Sequence, residues 1–104
     1  MHWYTYLAYF FGGAFLANAL PHVVNGVSGR AFQTPFAKPP GKGLSSPTVN
    51  VLWGFFNLQL AWLLIFRAGS FDLHNVQHAL PFGAGVLMML VASARIFGPF
   101  HGGR

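Results

Sequence analysis

Three long apolar stretches occupy most of this chain of 104 residues, at positions 3–24, 48–66 and 73–97. No charged side chain precedes Arg30, and none lies between Lys42 and Arg67. An apolar helix of ~20 residues crosses the ~30 Å hydrocarbon layer of a bilayer. The sequence therefore predicts an all-α membrane protein, with a single domain over residues 1–104 that contains three transmembrane helices.

Charged residues make up only 7% of the chain, whereas ordinary soluble domains contain ~25%. Asp72 is the one acidic residue, so the sequence offers no carboxylate pair for acid–base catalysis and no carboxylate cage for calcium or magnesium. It also contains no cysteine that could act as a nucleophile or a metal ligand. We therefore expect a protein that is not an enzyme and has no cofactor.

The net charge of +5 arises from cations spread around the apolar stretches. This distribution suits the anionic headgroups of membrane lipids better than nucleic acid, so lipids are expected partners and nucleic acid is not. Three helices bury little surface against one another. We therefore also expect a homo-oligomer or a place in a larger membrane complex.

Several residues predict where the helices begin and bend. Aromatic side chains should anchor the start of the first helix at the membrane interface: Trp3, Tyr4, Tyr6 and Tyr9. Ser46 can cap the second helix, and Pro47 suits its first turn. Asp72 is expected to cap the third helix, which Pro81 should kink.

The segment between the first two helices, residues 25–46, is rich in proline and glycine, so no regular helix is expected there. Aromatic and basic side chains alternate along it: Arg30, Phe32, Phe36, Lys38 and Lys42. We expect this basic loop to lie on the membrane surface, with its rings inward and its cations toward lipid phosphates.

The cations also predict the orientation of the chain. The end with the loop and the C-terminus carries five of them, Arg30, Lys38, Lys42, Arg95 and Arg104, whereas the other end carries only Arg67. The positive-inside rule then places the N-terminus outside and the C-terminus in the cytoplasm.

Polar side chains recur inside two of the apolar stretches. Asn18 and His22 lie one turn apart on the first helix, and Asn50 and Asn57 share a face of the second. We expect a hydrogen bond between Asn18 and Asn50. Gln59 lies nearly opposite Asn57, so one of these two amides must face another subunit, a partner or a polar lumen. Such residues either fasten helices together or line a path for water or solute.

A histidine pair, His74 and His78, is spaced four residues apart on the predicted third helix. Histidines at this spacing can bind zinc, copper or haem when a further ligand converges, and His2 or Asp72 could supply it. The alternative is a pair of interfacial histidines bonded to water and headgroups. His22 belongs to the opposite membrane side, so it should share no metal with His78.

Small residues four positions apart predict close contacts between helices. Such steps join Ala8 to Gly12 and Gly13 to Ala17 on the first helix, and Ala79 to Gly83 on the third.

Segments 21–26, 35–41, 44–46 and 50–54 (PHVVNG, PFAKPPG, LSS and NVLWG) resemble a family of small bacterial multi-span membrane proteins with no assigned function. The resemblance covers roughly the first 60 residues. It implies only that the Pro-His turn and the loop are more than a random linker, and it brings no activity or site residue with it. The expected location is the bacterial inner membrane.

These features predict a non-enzymatic small integral membrane protein that acts as a helix-packing subunit or as a homo-oligomeric module. One alternative is an oligomeric channel or carrier, with a polar path lined by the Asn, Gln and His side chains in the membrane. The other is a metal- or haem-binding membrane protein that uses His74 and His78.

Overall fold

The computed structural model describes residues 1–103 and contains three long helices, α1 (Trp3–Val27), α2 (Pro47–Phe66) and α3 (Val76–Phe97). A short antiparallel hairpin, β1 (Phe32–Gln33) and β2 (Leu44–Ser45), connects α1 to α2, and a 3₁₀ helix, Gly98–His101, follows α3. All three long helices have the length and apolar composition of membrane spans. The prediction of an all-helical chain with three such helices is confirmed.

The bundle has two ends, which we name by what they carry. The loop end holds residues 28–46 and 98–103, and the turn end holds residues 1–2 and 67–75. Gln33 and His101 bond at the loop end, which brings the hairpin and the C-terminal segment together. Arg104 lies outside the described residues.

Helix α1 is the centre of the bundle, because it packs against both α2 and α3. Within residues 1–103, α2 and α3 scarcely touch each other. Successive glycines on α1 explain this arrangement: a Cβ on Gly12 would meet Ile65 of α2, whereas one on Gly13 would overlap the carbonyl oxygen of Phe82 in α3. Neighbouring residues point about 100° apart on a helix, so α1 presents a separate close contact to each partner.

Glycines on the partner helices complete these contacts. A Cβ on Gly54 would meet Val23 and the carbonyl oxygen of Ala19, and one on Gly85 would overlap the carbonyl oxygen of Phe10. The Ala79–Gly83 step makes no such contact within the described chain, because Gly83 faces open space. Gly85, two residues further on, turns toward α1 instead.

The helix starts agree in part with the predictions. The Ser46 hydroxyl accepts the backbone N–H of Val49, as expected for the cap of α2. Helix α1 continues through Pro21 to Val27, three residues beyond its predicted end, and α3 also runs through its internal Pro81.

The predicted cap of the third helix is wrong. Helix α3 begins at Val76 rather than at residue 73, and the Asn75 side chain caps it by accepting the backbone N–H of Gln77. Asp72 accepts the backbone N–H of His74, two residues on, and so stabilises a turn that precedes the helix.

Two aromatic residues lie inside the protein rather than at the membrane interface. Phe32 is only 6% exposed and packs on His22 and Phe97. Its expected position in the lipid interface is wrong, because the hairpin folds back onto the bundle. Tyr9 is also fully buried, against Phe71 and His78, while Trp3 and Phe36 remain exposed as expected.

Replacing Gly85 by Leu should separate α1 from α3, because the new side chain would overlap the backbone at Phe10. We expect the free energy of unfolding to fall by at least ~1–3 kcal/mol. Gly83→Leu is the matched control, since its side chain would enter open space. Thermal unfolding followed by circular dichroism in a mild detergent measures both. Equal losses for the two variants would contradict the assigned interface.

Candidate functional site

Polar side chains gather between α1, α2 and the hairpin. His22, Asn50 and Asn57 are buried on the two helices, and Gln33 and Thr34 are buried in the loop. An unpaired polar group in such surroundings costs free energy, so each one requires a partner or a ligand. The hydrogen bonds that they form define what the site can still accept.

Asn50 is the most highly connected of these residues. Its amide nitrogen lies 3.1 Å from the carbonyl oxygen of Phe32, 3.2 Å from that of Ser45 and 3.1 Å from that of Ser46. A single side chain therefore holds both strands of the hairpin against the first turn of α2.

These bonds also determine how His22 is protonated. Because the Asn50 nitrogen donates to carbonyls, its Oδ1 is the acceptor in the 2.8 Å contact with His22 Nδ1. His22 therefore carries a hydrogen on Nδ1, and in the neutral ring Nε2 has a free lone pair. No hydrogen bond to this Nε2 is found in the described part of the chain.

A second pair repeats this arrangement deeper in the bundle. Asn57 donates to the carbonyl oxygen of Trp53 at 2.8 Å, so its Oδ1 accepts the amide N–H of Asn18 at 3.0 Å. The expected bond between Asn18 and Asn50 is wrong, because α1 and α2 run in opposite directions and residues of equal depth pair. His22 meets Asn50 near the loop end, and Asn18 meets Asn57 further in.

Gln59 takes no part in this network. Its side chain is exposed on α2, while Asn57 is completely buried. The prediction that these two amides face opposite directions is confirmed.

A cavity of about 140 Å³ opens beside the outer pair. Its polar lining comes from Asn18, His22, Gln33 and Thr34, and Trp53 and Phe97 are among its apolar walls. The Gln33 Oε1 atom lies 3.0 Å from His101 Nε2, and the imidazole of His101 stacks on Phe32 with ring centroids 5.1 Å apart. The hairpin and the C-terminal segment thus cover the end of the cavity.

The residues of the predicted metal site lie at the turn end. His74 precedes α3, so it does not share a helical face with His78. The expectation that these two histidines lie one turn apart on the same helix is therefore wrong. His78 Nδ1 accepts the backbone N–H of Asp72 at 2.9 Å, and His2, which stacks on Tyr4, lines a cavity together with His78 but not with His74. Within residues 1–103, no three His or Asp side chains are grouped so that they could hold a metal ion.

Asp72 and His74 interact closely at this end. The carboxylate accepts the backbone N–H of His74 at 2.9 Å and lies 3.2 Å from its ring Nδ1. The backbone bond first, and the side-chain bond second, hold the pKa of the Asp72 carboxyl below its usual value. The ionised carboxylate is therefore the form that stabilises the turn before α3.

The chain matches no protein-family model, no curated protein and no solved structure. Its resemblance to small bacterial membrane proteins accordingly stays a prediction.

Gln33 and Thr34 belong to the site although no sequence pattern predicted them there. Both lie in a loop whose composition predicts only turns, and they become buried because the hairpin docks on α1 and α2. No local pattern in the sequence signals that docking.

Asn57→Leu should destabilise the chain, because it leaves the Asn18 amide without its partner. We expect the free energy of unfolding to fall by ~0.6–2 kcal/mol, the range measured for such bonds between membrane helices. Gln59→Leu on the exposed face is the matched control and should change it by less than ~0.5 kcal/mol. Reversible unfolding in mixed micelles measures both.

A double-mutant cycle with Asn18→Leu isolates the pair itself. The loss from Asn57→Leu should largely disappear when Asn18 is already Leu. Strictly additive losses would mean that the two amides do not stabilise each other.

Proposed function

We propose that this protein is a non-enzymatic membrane module that packs against other membrane helices, either as a small subunit of a larger complex or as a homo-oligomer. The observation that carries the proposal is the exposed amide of Gln59, on a helix of membrane-span length whose amides at Asn50 and Asn57 are buried. It lies seven residues before the end of α2, about 10 Å from that end of the helix. A side-chain amide at this depth costs free energy in lipid unless another helix supplies a partner.

Helix α3 supports the same proposal. Among the residues of α3, all of which the structure describes, only Gly85 is buried, and it faces α1. Gly83, one of the two small residues of the Ala79–Gly83 step, faces open space, where a helix of another subunit can approach closely.

Assembly in a bilayer tests this proposal. In nanodiscs or a mild detergent, the native chain should form a homo-oligomer or co-purify with one larger complex, as measured by native mass spectrometry. Gln59→Leu should weaken that assembly and leave the unfolding of the chain itself unchanged. A protein that stays monomeric and without partners in the membrane would contradict the proposal.

A channel or carrier is the second candidate, and the cavity beside His22 and Asn18 is the observation that favours it. Against it, the Asn18–Asn57 and His22–Asn50 pairs lie between helices of one chain, and Asn50 and Asn57 are also bonded to backbone carbonyls of that chain. If the pairs nevertheless line a path, Asn57→Leu should abolish solute flux into liposomes while the oligomer stays intact. No flux through the native protein would leave only the packing function.

The proposal includes a multi-pass protein of the bacterial inner membrane, with its loop end in the cytoplasm against anionic headgroups. Arg30, Lys38 and Lys42 are exposed at that end, and Arg95 lies in the last turn of α3. Arg67 follows α2 at the turn end.

Site-directed labelling tests the orientation. Single cysteines that replace Lys38 and Ser70 should react with a membrane-impermeant maleimide from opposite sides of sealed vesicles, with Lys38 on the cytoplasmic side. Labelling of both from the same side would contradict three spans, and reversed sides would contradict the orientation alone.

A further inference from the structure

Three side chains that line the loop-end cavity each have one polar atom that forms no hydrogen bond within the described chain: His22, Asn18 and Gln33. Among the described residues, the only side-chain nitrogen or oxygen that is both fully buried and without a hydrogen bond is the Ser93 hydroxyl. The unpaired atoms of His22, Asn18 and Gln33 are therefore not fully buried, and each has some accessible surface. The cavity is a space that all three line.

The hydrogen-bond network fixes the chemical character of two of these atoms on α1. His22 donates through Nδ1 to Asn50, so its Nε2 is an acceptor in the neutral ring. Asn18 donates through its amide nitrogen to Asn57, so its Oδ1 is also an acceptor. The helix side of the cavity thus offers two acceptors.

The loop side offers the complementary group. The Gln33 Oε1 atom bonds to His101, which leaves the Gln33 amide nitrogen as a donor of two hydrogens. Gln33 is only 3% exposed, so its amide nitrogen reaches little space other than the cavity that the residue lines. A molecule in the cavity would meet acceptors on one side and a donor on the other.

The size and charge of the cavity limit the ligand further. The cavity has a volume of about 140 Å³ and is partly open, which suits a small ligand. Haem is far too large. No charged side chain lines the cavity in the described chain, so a charged ligand would be buried without a counter-charge.

We propose that this cavity binds a small neutral molecule that carries both N–H donors and a carbonyl acceptor, of the primary amide or urea class. Its N–H groups donate to His22 Nε2 and Asn18 Oδ1, and its carbonyl oxygen accepts from the Gln33 amide. The flat side chains of Trp53 and Phe97 form apolar walls around it. This site is independent of the assembly proposed above, because Gln59 is not part of it.

Acetamide is the probe for this site. Titrated into the full-length protein in nanodiscs, it should shift the ¹⁵N resonance of His22 Nε2 in a saturable way, because that atom gains a donor. Acetone, which lacks N–H groups, and N,N-dimethylacetamide, whose nitrogen carries two methyl groups, should produce no saturable shift. An absent shift, or equal shifts with all three compounds, would overturn the proposal and leave a cavity that holds only water.

A loop variant tests the donor without disturbing the helix pairs. Gln33→Met should weaken acetamide binding about fivefold, the effect of losing one hydrogen bond of ~1 kcal/mol. Gln77→Met, exposed at the start of α3, is the matched control and should bind as the native protein does. An unchanged His22 Nδ1 resonance shows that the variant is folded, and native affinity in a folded Gln33→Met variant would contradict the assigned donor.

Discussion

The hydrogen bonds of Asn50 constrain three parts of the chain at once. Its nitrogen bonds to carbonyls in β1, in β2 and before α2, and its oxygen bonds to His22 of α1. An amide that is completely buried in an apolar bundle is costly unless it is fully paired, so these partners cannot separate independently. The position of the hairpin, the start of α2 and the ring orientation of His22 therefore depend on one another.

Backbone proximity is the second constraint, and glycine makes it possible. Gly12 and Gly54 allow α1 and α2 to approach closely, and Gly13 and Gly85 do the same for α1 and α3. Only this separation brings the short side chains of Asn18 and Asn57 within 3.0 Å of each other. Between membrane helices, close approach and polar pairing replace the hydrophobic effect as the source of specificity.

The parts of this fold that could be predicted are those governed by local chemistry. Apolar length predicts the three helices, Ser46 predicts the start of α2, and helical periodicity predicts that Gln59 faces away from Asn57. The burial of Phe32 could not be predicted, because it requires the hairpin to dock on side chains that are distant in sequence, such as His22 and Phe97. The cap of α3 could not be assigned, because Asp and Asn side chains suit both a turn and a helix cap. Asp72 stabilises the turn, and Asn75 caps the helix.

The polar groups left over by the internal pairs fall into two sets that lie in different places. His22, Asn18 and Gln33 carry the first set and line the cavity at the loop end, where we propose that a small molecule binds. Gln59 is exposed on the outer face of α2, where the proposed partner helix would meet it. Because α1 supplies the first set and the outer face of α2 carries the second, a change in one need not disturb the other. Ligand binding and assembly can therefore be separated experimentally in a chain of only 104 residues.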